Sequence, residues 1–280
     1  MKILPGFSMK LGVGSYTFPW AIGVPGYSKP RKTLSLMGLL ARAGKMNVKV
    51  VQICDNLPLN SLSDMSLENF RNRAEEMGVE IELGTRGVDP KILLRYLEIA
   101  KYLNAKVVRT IITENDLNLG MNMVLDNLKS VAPAFAKARI HIAIENYESI
   151  RSRDLVKIIN KLSYQNVGVC LDTANSIGSL ESTEEVAKLL APHVVSLHVK
   201  DFKIIRFNHK MGFKVIGCPV GKGRLDIDWL LGVLEKEDRK PNAILELWTP
   251  FSGTVEKTIL KEYRWAEESI RFLRGKMKDG

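Results

Sequence analysis

Short, nearly uninterrupted apolar runs recur along the chain, and most are followed by a stretch in which apolar residues return at the helical period. Eight runs read as strands: Leu11 to Tyr16, Val48 to Ile53, Val79 to Leu83, Lys106 to Ile111, Ile140 to Glu145, Val167 to Asp172, Val194 to Asp201 and Ala243 to Leu247. They are continuously apolar rather than alternating, as a parallel sheet covered on both faces requires. Helices are predicted over Leu34 to Ala43, from Ser66 to a left-handed stop at Gly78, after the cap-and-proline pair Asp89-Pro90, and over Leu117 to Ala138 with an interruption at Pro133. Others start near Arg153, after the cap at Ser182, and over Asp228 to Leu234 and Val255 to Leu273.

Strands spaced by roughly thirty residues, each with a helix behind it, predict an α/β fold, a (β/α)8 TIM barrel forming one domain over residues 1–280. A doubly wound open sheet would carry a glycine-rich phosphate loop after its first strand, and Gly12-Val13-Gly14 is too short for that. The step from His198 to Glu246 is longer than the rest. Phe202 to Phe207 and Gly212 to Gly217 flank the polar turn Asn208-His209-Lys210-Met211, which predicts a hairpin-like insert after strand seven. It would rise at the end where barrels keep their active sites and serve as a lid or pocket wall, or as a surface decoration.

Composition narrows the field. The chain has 280 residues, 45% hydrophobic and 26% charged, which is ordinary for a soluble protein. A net charge of +10 suits an anionic ligand or a solvated lysine surface. Without a basic run, and with 7% aromatics, the chain offers no stacking platform for nucleic acid. Cys54, Cys170 and Cys218 form no CxxC pair, so neither a disulfide framework nor a zinc knuckle is expected, and a cytoplasmic location fits. Met1 to Lys10 holds no long apolar run, and no stretch reaches the length of a membrane span.

The chemistry gathers at the ends of four apolar runs: Glu145, Asp172, His198 and Glu246. A carboxylate there is costly unless it is paired or bound to a cation. Converging, the four would form a site of three carboxylates and one imidazole. That set suits one divalent ion, Mn first, with Mg, Co or Zn as alternatives.

The segments Ile144-Glu145-Asn146, Leu171-Asp172-Thr173, Leu197-His198-Val199-Lys200-Asp201, Pro219-Val220-Gly221-Lys222-Gly223 and Leu245-Glu246-Leu247 resemble those of the xylose isomerase-like TIM barrels, the sugar phosphate isomerase/epimerase superfamily. That resemblance implies a metal held by Glu145, Asp172, His198 and Glu246, with the two glutamates also acting as acid and base. It implies an isomerase or epimerase of carbohydrate metabolism, moving a proton through a metal-stabilised enediolate of a sugar, sugar acid or sugar phosphate. A dehydratase of the inosose or dehydroshikimate type would use the same site, and a non-catalytic sugar-binding barrel is the rival from another class.

Two departures from the family pattern bear on the choice. Many members have His where this chain has Asn175, and ketose 3-epimerases keep a Glu where it has Arg151. The endonuclease branch needs further His ligands. His141 and His193 fall at the opposite end of their strands, which disfavours a nuclease. Tyr16, Arg86, Arg109, Asn175, Lys200, Arg206 and Trp248 are the candidate substrate-binding residues. Each cation could instead simply pair with the ligand carboxylates, and Trp248 could cap the barrel core. A homo-oligomer joined through outer helices or loops is compatible with the pattern.

Overall fold

The computed structural model describes residues 9–59 and 62–277. The stretch 1–8, read above as free of an apolar run, lies outside the described residues. Seven parallel strands come first: β1 (Leu11–Gly14), β2 (Val50–Ile53), β3 (Glu80–Gly84), β4 (Val107–Ile111), β5 (His141–Glu145), β6 (Val167–Asp172) and β7 (Val194–Val199). The chain then makes an antiparallel hairpin of β8 (Asp201–Arg206) and β9 (Phe213–Cys218). The last barrel strand, β10 (Ala243–Leu245), closes the ring between β7 and β1. The barrel and the hairpin insert are those read from the sequence.

The helices are α1 (Pro19–Ile22), α2 (Leu36–Lys45), α3 (Asp64–Glu76), α4 (Pro90–Tyr102), α5 (Glu114–Asn118), α6 (Met121–Ala138), α7 (Ser152–Leu162), α8 (Thr183–Leu190), α9 (Ile227–Lys236) and α10 (Val255–Arg274). Their inner faces bury Leu39, Phe70, Leu93, Leu128, Phe135, Leu155, Leu190, Leu230 and Ile270. Each such side chain contributes roughly 1.5–3 kcal/mol by leaving water. Among the described residues no helix is long and apolar enough to cross a membrane.

Two helix readings need correction. The helix expected to open at Ser66 begins at Asp64, because Ser63 is the cap and accepts from the Ser66 N–H. Pro133 does not interrupt α6. It lies on the exposed face, beside the equally exposed Lys129 whose carbonyl loses its helical donor, so water can satisfy that group. The break falls instead at Gly120, whose φ of 98° separates α5 from α6. Other boundaries move by a few residues; β10 stops at Leu245, leaving Glu246 just beyond it.

Period-two geometry sorts the inward faces. Val107, Ala143 and Cys170 form a small apolar cluster inside the barrel. Two residues on, along the same strands, stand Arg109, Glu145 and Asp172. The barrel therefore changes from apolar to charged within one pleat, at the C-terminal ends of its strands.

Candidate metal centre

The end of each strand is locked before it offers a ligand. Asn146, after β5, exchanges two hydrogen bonds with the Asp172 backbone: its amide donates to the carbonyl at 2.9 Å, and its oxygen accepts from the N–H at 2.7 Å. Asp172 Oδ1 accepts from the N–H groups of Ala174 and Asn175, both at 2.8 Å. That leaves Oδ2 turned into the barrel. Thr173 Oγ1 joins β6 to β7 by accepting from the Lys200 N–H at 2.8 Å and donating to its carbonyl at 2.7 Å. The polar neighbours within these sequence motifs thus hold the strand ends in place.

The three sequence-predicted carboxylates surround His198 Nδ1, but as two groups: Asp172 and Glu246 on one hand, Glu145 with Cys170 on the other. His198 Nδ1 lies 3.2 Å from Glu246 Oε1, 3.4 Å from Glu145 Oε2 and 3.9 Å from Asp172 Oδ2. His198 Nδ1 and Glu246 Oε1 are buried without a hydrogen-bond partner, and Asp172 Oδ2 pairs with the Lys200 ammonium. These three atoms face one another, and a set of hard oxygens and one imidazole fits a divalent cation. Ligands about 2.1 Å from one ion stand ~3 Å apart in an octahedron, and the 3.2 Å between His198 Nδ1 and Glu246 Oε1 is close to that.

Cations already surround the cluster. Arg109 Nε donates to Glu145 Oε2, and Asn175 Nδ2 donates to Glu145 Oε1 at 2.6 Å. Lys200 Nζ lies 2.9 Å from both Asp172 Oδ2 and Glu246 Oε2, and donates to Asn175 Oδ1 at 3.2 Å. The Trp248 ring lies 4.8 Å from the same ammonium, and the indole is 39% exposed, at the mouth.

The charges set one another's protonation. Burial alone would raise the Glu145 carboxyl, but Arg109, His198 and Lys200 hold it well below the usual carboxylate range. Burial dominates at Asp172 and raises it, despite Lys200. Burial would lower Lys200; Asp172, Glu246 and Glu145 outweigh it and keep the amine an ammonium. At His198 burial is outweighed by Cys170, Glu246 and Glu145, so the metal-free ring holds its proton above its ordinary range. A dication would displace that proton, since a metal ligand must offer a lone pair.

Asp55, just after β2, is a hub that sequence reasoning passed over. It accepts from Tyr16 Oη at 3.1 Å, Arg86 Nε at 3.2 Å and Arg109 Nη1 at 3.2 Å. Tyr16, Arg86 and Arg109 are thereby gathered on one side of the mouth, with Arg86 half exposed. Gln52 and Glu82, both buried, were missed as well. The signal for them is a polar residue interrupting an apolar strand, as in Val50-Val51-Gln52-Ile53 and Ile81-Glu82-Leu83.

Arg206 is not brought to the site. It ends β8, is exposed, and donates to the Lys210 carbonyl at 3.1 Å in the hairpin turn. Five residues of strand carry it on the order of 16 Å from Asp201. His141 begins β5 and His193 precedes β7, so both sit at the opposite end of the barrel from the ligands.

Comparison with known proteins agrees with this architecture. The family model for xylose isomerase-like TIM barrels matches residues 40–276. A 3-oxo-isoapionate decarboxylase of Pectobacterium atrosepticum is 33% identical over 265 residues, covering 95% of each chain. Among solved structures, a xylose isomerase-like TIM barrel protein from Mycobacterium smegmatis in complex with magnesium superposes with a TM-score of 0.69 at 13% identity, covering 95% of this chain and 98% of its own. D-psicose 3-epimerase from Clostridium cellulolyticum H10, with D-tagatose, gives 0.72 at 14% identity, covering 97% and 100%. At these identities the two structures attest the fold alone.

Proposed function

Because this chain belongs to the xylose isomerase-like TIM barrel family, we propose that it is a metal-dependent enzyme of sugar-acid metabolism that decarboxylates a 3-oxo sugar acid. The observation that carries the reading is Lys200, a buried ammonium held 2.9 Å from Asp172 and Glu246 at the point where the ligands converge. The 33% identity to a decarboxylase over nearly the whole chain supports the same reaction class.

A divalent ion, Mn by preference, held by Glu145, Asp172, His198 and Glu246 would supply a Lewis acid at a substrate carbonyl. In a 3-oxo acid the bond between the α-carbon and the carboxylate breaks, CO2 leaves, and the electron pair passes into the neighbouring ketone as an enolate. Cleavage needs no base. One proton must then reach the α-carbon. Lys200 is the proton-bearing group beside the ligands and serves as the general acid, recovering its proton from water.

Both oxygens of Glu145 are engaged, by Arg109 and Asn175. That suits a ligand better than a proton shuttle. Arg86, half exposed and steadied by Asp55, anchors the anionic substrate at the mouth, with Tyr16 and Trp248 as walls. The hairpin adds Lys203, Arg206, Lys210 and Lys214, with no carboxylate from 202 to 225, a field that draws an anion in. The three free cysteines are buried, which fits a cytoplasmic enzyme built as one domain.

The second reading is proton transfer without loss of CO2, by an isomerase or epimerase. One observation favours it: Glu246 Oε1 is buried and unpartnered, free to take a proton. Carboxyl-labelled 3-oxo sugar acids and ketoses, incubated with Mn-loaded protein in heavy water and followed by NMR, separate the two. The expected result is labelled CO2 above the spontaneous rate, with one deuteron in the product. Deuterium exchange into ketoses, with no accelerated CO2 release from any 3-oxo acid, would replace decarboxylation with isomerisation.

A further inference from the structure

Behind His198, on the side away from the carboxylates, lies a second buried polar set that the reaction above does not use. His198 Nε2 is 2.7 Å from Gln52 Oε1. Gln52 Nε2 donates to Glu82 Oε2 at 3.1 Å. Glu82 also accepts from Ser196 Oγ at 3.3 Å and from Asn242 Nδ2 at 2.8 Å. Gln52, Glu82, Ser196 and His198 are each buried to 3% exposure or less. In the closed ring β3 stands four strands from β7 in either direction, so the contact between Glu82 and Ser196 crosses the bore of the barrel.

The donor and acceptor inventory then fixes the amide. One end of a glutamine only donates and the other only accepts. With Glu82 ionised, it accepts from each of its three partners, and the Gln52 amino end faces it. The reverse orientation would set two oxygens against each other. In this orientation Cys54 Sγ, 3.2 Å from Gln52 Oε1, donates to that oxygen. Gln52 therefore offers only an acceptor to His198 Nε2, which must carry the proton. A neutral imidazole has one proton, so the lone pair falls on Nδ1. Nδ1 is the atom that faces Glu145, Asp172 and Glu246 with no partner.

We infer that Gln52 and Glu82 are positioning residues that fix the tautomer and ring orientation of His198, so that Nδ1 presents its lone pair to a divalent cation. The inference rests on the metal-centre reading and adds to it. Two residues on the opposite wall, which touch no ligand carboxylate, govern the affinity of the site. Partners behind a metal-bound imidazole are commonly worth roughly 10- to 100-fold in metal affinity.

The test uses the full chain. Protein labelled with nitrogen-15 at histidine and loaded with cadmium-113 is expected to show cadmium coupling to Nδ1 of one histidine, with a slowly exchanging proton on its Nε2. In Gln52→Met and Glu82→Gln, Mn affinity by calorimetry should fall roughly 10- to 100-fold and that Nε2 proton should exchange faster, with every metal ligand still present. Cadmium coupled through Nε2, or variants that bind Mn as tightly as the parent protein with the Nε2 proton retained, would overturn the inference and leave the metal centre standing. A parent protein that binds neither ion removes the metal centre and the inference together. If both variants fail to fold, the coupling in the parent protein decides.

Discussion

Lys200 Nζ stands 2.9 Å from Glu246 Oε2, and both groups are buried. The ammonium thus shares a carboxylate with the cation site and competes with a dication for it. Lys200→Met should remove the proton donor and slow turnover by roughly 10²- to 10⁴-fold. It should at the same time tighten Mn binding, since a positive charge leaves the neighbourhood. CO2 release at saturating Mn and calorimetric titration check the two effects, which have opposite signs. Weaker Mn binding with unchanged turnover would contradict the assigned role.

Arg109 and Arg86 both reach Asp55, but their surroundings differ. The Arg109 side chain is 4% exposed and holds Glu145 inside the barrel; that of Arg86 is 46% exposed. Arg109→Met strands a buried charge and should cost about 3–5 kcal/mol in urea unfolding of the metal-free protein, part of it regained on adding Mn. Arg86→Met should change stability by no more than about 1 kcal/mol. Its effect should appear as a raised KM for an anionic substrate.

The hairpin touches the mouth at one tight point. A Cβ on Gly217 would lie 2.1 Å from the Trp248 carbonyl oxygen and 2.5 Å from its Cβ. Gly217→Ala should push β9 or Trp248 aside, at a cost of about 1–3 kcal/mol. Turnover should fall with a shift in Trp248 fluorescence. Met211→Ala, at the far tip and 83% exposed, is the control, and should leave turnover unchanged.

Glu262 supplies a pH dependence separate from the site. Its carboxylate accepts from the N–H groups of Trp20 at 2.9 Å and Ala21 at 3.1 Å, and is fully buried in α10. Burial raises its carboxyl from 4.5 to about 8. With a raised folded-state pKa, its stabilisation is fully present below about 4.5 and is lost as pH climbs through about 8. The thermal midpoint of the parent protein should therefore fall relative to that of Glu262→Gln between about pH 5 and about pH 9.

The barrel was legible because each strand is a continuous apolar run with a helix behind it. The four proposed ligands stand out in the sequence because each ends such a run. Two kinds of residue escaped that logic. Asp55 lies past the end of β2, and only the fold brings it to Arg86 and Arg109, thirty-one and fifty-four positions away. Gln52 and Glu82 look like strand impurities until closure of the barrel sets β3 across from β7. Arg206 failed in the other direction. It is near His198 in sequence, but an extended hairpin turns sequence proximity into distance.

One carboxylate gathers both ends of that hairpin. Asp201 accepts from the N–H of Phe202 at 2.8 Å, Gly221 at 3.0 Å, Gly223 at 2.9 Å and Leu225 at 3.0 Å. The excursion therefore leaves and re-enters the barrel through a single knot, one residue past Lys200. What hangs beyond the knot can be lengthened, shortened or exchanged without disturbing the strand register beneath it. The fold thus separates two inheritances: a fixed floor where the proposed ion and proton donor would sit, and a hairpin above it through which selectivity can drift.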